Sequence, residues 1–190
     1  MKLSKGGIVG LIIVAVILII VVVFALWAIG TYNGMVNENE QVDSQWAQVT
    51  NQYQRKIDLI PNLVATVSQY QQFEAGTLMN ITALRSRWMN ASSAEDQVNA
   101  TNELDRQLLT IQVTYEAYPD LHSIEALSNL MYELAGTENR ITVERMRYNE
   151  DVKDFNAHIK RFPASMVASW GDFEERSYYV SPNAPAAPGS

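Results

Sequence analysis

From Ile8 to Ile29 the chain reads IVGLIIVAVILIIVVVFALWAI, an apolar run that carries no charge. As a helix rising 1.5 Å per residue it would reach about 33 Å, against a bilayer core of about 30 Å. Trp27 and Tyr32 stand at its far end, where amphipathic rings favour the membrane interface. The apolar region of a cleaved signal peptide is shorter, about 7–15 residues, and ends at a small-residue cleavage site. No A-x-A follows this run, so a retained single-pass anchor is expected over 8–29, after a short segment 1–7. Cysteine is absent, which excludes a lipoprotein and a disulfide framework.

Lys2 and Lys5 precede the run, and the first charges after it are Glu38, Glu40 and Asp43. The positive-inside rule then keeps the N-terminus cytoplasmic. The expected location is the plasma (inner) membrane with the soluble domain outside, a cytoplasmic domain being the alternative. Without the first thirty residues the chain holds 12 basic against 21 acidic side chains, a net charge of −9. Such a domain lacks the basic face that phosphate contacts need, so nucleic acid is not an expected partner. It is also repelled by anionic lipid surfaces.

Beyond the anchor the apolar residues keep helical spacing. The first seam runs Val42, Trp46, Val49, Tyr53, Ile57, Ile60, Val64, Val67, Tyr70, Phe73, one buried face of an amphipathic helix. A weak point at Gly76 leads to a second seam at Leu78, Ile81, Leu84 and Trp88. NASSAED (90–96) is a clear break, in which Ser92 and Glu95 match a capping box. The next helix carries Val98, Thr101, Leu104, Leu108, Ile111 and Tyr115, and YPDLHS (118–123) ends it, with Asp120 or Ser123 available as a cap. From Ile124 to Phe162 the seam alternates spacings of three and four in a heptad register, interrupted only by Glu138 and Arg145. Phe162-Pro163 closes that helix, a short helical segment is expected within 164–180, and the Pro/Ala-rich tail 181–190 reads as disordered.

No strand pattern occurs. The expected fold is all-α: the transmembrane helix, then an antiparallel up-and-down four-helix bundle over 31–163 with long first and last helices. A break near Gly76 gives helices of matching length. A hairpin at Pro61 has none of the Gly and polar residues that tight turns use, and the seam crosses it, so Pro61 is read as a kink. Counting from the distal turns puts Lys56 and Glu138 at one height. Arg55, Lys56 and Asp58 are then expected to face Glu138, Arg140 and Arg145 as a register-setting ion-pair network, the alternative being a polar site that holds a ligand or partner residue. The Ile57 carbonyl freed by Pro61 is expected to receive a polar side chain from the last helix.

Groups that carry chemistry are scarce. His158 has Asp154 at i−4, an ordinary surface pair, and His122 has no evident partner. No phosphate loop, nucleophile elbow, H-E-x-x-H or di-iron Glu-x-x-His signature occurs. Glu144, Glu150, Asp151 and Asp154 read as a solvated face. Trp46, Trp88 and Trp170 read as core, and the sequons at Asn80, Asn90 and Asn99 carry no weight. No catalytic residue, metal or cofactor is expected.

The motifs YN-V-NE-V-WAQV (32–49), QRKIDLIPNLV (54–64), YPDL (118–121), LAGTENRI (134–141), RYNEDVKDFN (147–156) and FP (162–163) closely resemble the LemA family of membrane-anchored bacterial and archaeal proteins. The signature positions here are Arg55, Asp58, Pro61, Asn62, Gly136, Glu138, Asn139, Arg140, Arg145 and Asn149, with Gln54, Tyr148 and Asn156 beside them. The resemblance implies a helical bundle on a single-pass anchor, without assigned enzymatic activity and without catalytic residues to carry over. It places the N-terminus outside, against the two lysines here. The expected function is a non-enzymatic scaffold or assembly module, partnered by the bilayer and by itself (a homo-oligomer) or by other membrane proteins. The alternative is a ligand-responsive sensor or regulator with Pro61 as hinge.

Overall fold

A computed structural model describes residues 5–179, without the side chains of residues 5–8, 94 and 95. The expectations for Lys2 and for the tail 181–190 lie outside the described residues. The elements are α1 (Lys5–Val67), α2 (Ala75–Met89), α3 (Ala94–Ala117), a 3-10 turn (Pro119–Ser123), α4 (Glu125–Lys160) and α5 (Ala164–Trp170). The fold is all-helical, with no strand among the described residues.

The apolar run and the first amphipathic seam as far as Val67 form one helix of 63 residues, which passes through Gly30 and Gly34 without a break. The stretch from Val9 to Leu26 is exposed throughout and long and apolar enough to cross a membrane. Pro61 lies inside α1 and does not end it. The break expected near Gly76 comes earlier, over 68–74. There the Ser68 hydroxyl and the Gln69 amide both donate to the Ala65 carbonyl (3.1 and 3.2 Å), taking up an acceptor of the last turn. Gly76 instead sits in the first turn of α2. An internal glycine costs only about 1 kcal/mol, and burial of Leu78, Ile81, Leu84 and Trp88 outweighs it at about 1.5–3 kcal/mol per large side chain.

The cap of α3 lies one residue beyond the expected pair. Ser93, not Ser92, accepts from the Asp96 backbone N–H (3.1 Å), and its hydroxyl donates to the Asp96 carboxylate (2.8 Å). Neither Asp120 nor Ser123 takes the capping role foreseen for them, since the Ser123 hydroxyl donates back to the Asp120 carbonyl (2.6 Å). His122 has a partner after all. Its Nε2 lies 3.1 Å from the Tyr115 carbonyl and its ring stacks 4.3 Å from that tyrosine's ring.

The chain divides into two compact units, one holding the described residues up to Ser44 with Asn149–Tyr178, the other Gln45–Tyr148 with Tyr179. The second unit is built on Val49, Ile57, Ile60 and Leu63 of α1, Ile81 of α2, Leu104 and Ile111 of α3, and Leu127 and Ile141 of α4. The first unit buries Met35, Val42, Val152, Phe155 and Ile159 with Ala164, Val167 and Ala168 of α5. In it Asn156 clamps the C-terminal segment: its amide donates to the Arg176 carbonyl and its oxygen accepts from the Arg176 N–H, both at 2.8 Å. His158 pairs with Glu38 (2.8 Å) rather than with Asp154, because the tertiary partner reaches the ring. Two core assignments need correction. Trp170 is 80 % exposed and Phe162 77 % exposed, since α4 stops at Lys160 and α5 buries its alanines instead.

Candidate functional site

Four charged side chains meet inside the second unit. Lys56 projects from the buried face of α1 and is only 4 % exposed. Its ammonium donates to the Asp105 carboxylate of α3 (2.6 Å) and to the Glu138 carboxylate of α4. Arg145, two turns beyond Glu138, donates to the other Asp105 oxygen (3.2 Å) and lies 4.0 Å from Glu138. Its guanidinium stands 5.0 Å from the Tyr53 ring centre and 4.4 Å from that of Tyr179, a cation–π arrangement. The two phenols lie 3.3 Å apart, and the Tyr179 hydroxyl donates to the Asn102 side chain (2.8 Å). Two cations and two anions cancel, which is how charges persist away from water.

The electrostatics keep this cluster ionised at its centre. Burial pulls the Lys56 pKa down, but attraction from Asp105 and Glu138 more than reverses it, leaving the ammonium above its ordinary value. Burial pushes the Asp105 carboxyl up, against the pull of Lys56. Burial also lowers Arg145 from its ordinary value, with Tyr179 acting in the opposite sense. Desolvation pushes Tyr179 up to about 12 and Tyr148 upward as well. An ammonium held this firmly is neither a nucleophile nor a base at neutral pH. The Arg145 Nε is buried without a hydrogen-bond partner. The cavity lined by Tyr53, Trp46 and Trp88 has room of about 10 Å³, about that of one water.

The signature residues divide into two sets. Glu138 and Arg145 enter the cluster, as the estimate of equal height foresaw for Lys56 and Glu138. Arg55, Asp58, Pro61, Asn62, Asn139 and Arg140 are exposed. Asp58 accepts from Gln54 (2.8 Å) on its own helix, so neither it nor Arg55 meets α4. Asn139 and Arg140, polar residues of α4 near the estimated height of Lys56, face solvent. Gly136 has nothing within 4 Å of where a Cβ would stand, and no neighbouring backbone demands it. Asn149 is half-buried in the first unit. Glu144 is no member of a solvated face, since it accepts from Gln45 (2.7 Å) and Arg147 (3.0 Å).

Asp105, Asn102 and Tyr179 were not anticipated. Asp105 had a signal, because it follows Leu104 and precedes Leu108 by three, which puts it on the flank of a buried stripe. Tyr179 follows α5 in a segment with no periodicity at all.

Comparisons with known proteins agree with the motifs. The LemA family model matches residues 45–189. The chain is 21 % identical over 204 residues to magnetosome protein MamQ 2 of Paramagnetospirillum magneticum, covering 94 % of this chain and 74 % of that one. Magnetosome protein MamQ 1 of the same organism gives the same figures. Protein LemA of Metamycoplasma hominis is 22 % identical over 147 residues, covering 77 % of this chain and 67 % of the relative. With three quarters of its length matched by one family model, this chain belongs to the LemA family.

Proposed function

We propose that this protein is a non-enzymatic, single-pass membrane scaffold whose helical domain assembles with copies of itself or with other membrane proteins. The observation that carries the reading is the exposed apolar stretch of α1, which leads without interruption into residues that build a packed core. In this reading residues 8–29 span the inner membrane, with Trp27 and Tyr32 at the interface, and the domain lies outside. The second unit is an antiparallel up-and-down four-helix bundle, its register fixed by the charge cluster. Exposed Leu109 and Val113, at i and i+4 on α3, offer an apolar strip for association. A strictly monomeric protein in detergent by light scattering, with no cross-linked species in cells, would sink the scaffold reading. Protease access to residues 181–190 in intact cells tests the side of the membrane.

The sensor alternative draws on the same cluster, because ionic groups inside a bundle can bias two states. The small cavity beside it favours the scaffold. A thermal-shift screen separates the two, since a specific small ligand raises the midpoint by mass action.

A further inference from the structure

α5 is uncharged and two-faced. Ala164, Val167 and Ala168 are buried, while Met166 and Trp170, at i and i+4, are exposed on the opposite side. Phe162, just before the helix, is exposed as well. Single exposed apolar residues are ordinary, but these do not stand alone. In the same unit Trp170, Gly171 and Asp172 line a groove of about 670 Å³ with Ala25, Ala28, Ile29 and Tyr32. The first three of those α1 residues belong to the last turns of the apolar span.

Gly171 is what brings the two sides together. It ends α5, and a Cβ there would lie 2.8 Å from the Tyr32 ring and 2.9 Å from the Phe173 ring. The rings of Tyr32 and Phe173 meet edge to face at 5.4 Å. The exposed side of α5 is thereby continuous with the end of the span, at the depth where tryptophan favours the headgroup boundary.

We propose that α5 is an interfacial helix whose Met166 and Trp170, with Phe162 just before it, lie in the headgroup–acyl boundary of the bilayer, with a lipid acyl chain filling the groove beside Ile29. The occupant is bilayer lipid, because the groove continues the apolar surface of the span and is lined by one charged residue, Asp172. The helix itself brings no charge to desolvate, so binding needs no anionic headgroup. The proposal rests on the membrane-anchor reading above.

The absence of cysteine permits a direct test. Single variants Met166→Cys, Leu18→Cys and Tyr132→Cys of the full chain, each at an exposed position, are spin-labelled and placed in phosphatidylcholine nanodiscs. Collision with oxygen and with a water-soluble nickel complex is then read for each label. The expected result is a label at 166 several-fold less accessible to nickel than the label at 132, with that at 18 lowest. A label at 166 as accessible as at 132, with 18 protected, overturns the α5 assignment and leaves the anchor standing. Nickel access at 18 equal to that at 132 overturns both.

Discussion

Both units carry surface ion pairs, Arg87–Glu103 among them in the second, but among the described residues only the second unit also gathers charges into a buried cluster. In the second, Lys56, Asp105, Glu138 and Arg145 converge beneath two tyrosines, each cation touching both carboxylates. In the first, Lys160–Glu175, His158–Glu38 and Arg176–Asp43 are separate pairs that keep access to water. A lone pair at the surface contributes about 0–1 kcal/mol and tolerates loss of a partner. In a buried group, removing the most deeply buried member strands its partners away from solvent.

The strongest way to break this contrast is Lys56→Ala, which leaves Asp105 and Glu138 facing each other with Arg145 alone. Calorimetry of the full chain in detergent should show a loss of about 3–5 kcal/mol, a midpoint lower by about 10 °C or more. Adding Asp105→Leu to Lys56→Met should cost less than the two single changes summed, since the pair leaves together.

Alkaline pH probes the same cluster without mutation. The Lys56 pKa and the Tyr179 pKa are both raised in the folded protein, the latter to about 12. Their contributions are complete below the unfolded values of about 10 and fade as pH climbs through the folded ones. Stability should therefore hold from neutral pH to about 10 and fall above it. Ultraviolet titration should show Tyr148 and Tyr179 titrating late, and the last of the two steps, at about 12, should disappear in Tyr179→Phe.

Glu138→Ala should act less strongly. Its side chain is 41 % exposed and Lys56 keeps Asp105, so a loss of about 1–2 kcal/mol and several degrees is expected. Smallest of all, Arg176→Ala should cost under about 1 kcal/mol. A loss there equal to that of Glu138→Ala would erase the distinction between the units.

Much of the fold was legible in residue order because helices announce themselves by spacing. Val49, Ile57 and Ile60, like Leu127, Leu134 and Ile141, recur on one face, and they are the residues that the core buries. The meeting of Lys56 with Glu138 came from counting rises between turns. His158 misled because a tertiary contact outranks a local one, and it pairs with Glu38 rather than Asp154. The α3 cap misled by one residue within a local motif, Ser93 bonding Asp96 at i+3 where Ser92 was expected. Trp170 misled for a different reason: its hydrophobicity specifies removal from water, not the medium that replaces it. Tyr179 was illegible because a segment without regular structure has no period to read.

Pro61 and its neighbour Asn62 lie on the exposed side of α1, while Ile57, Ile60 and Leu63 are fully or almost fully buried. Advancing the helix by one residue would rotate it about 100° and carry the proline, with its missing N–H, toward the core. The unpaired carbonyl would then be shut away from water at a cost of about 1–3 kcal/mol. Pro61 thus adds its own penalty to the burial of Ile57, Ile60 and Leu63 in fixing the rotational phase of α1, and marks one side of the helix as the outside.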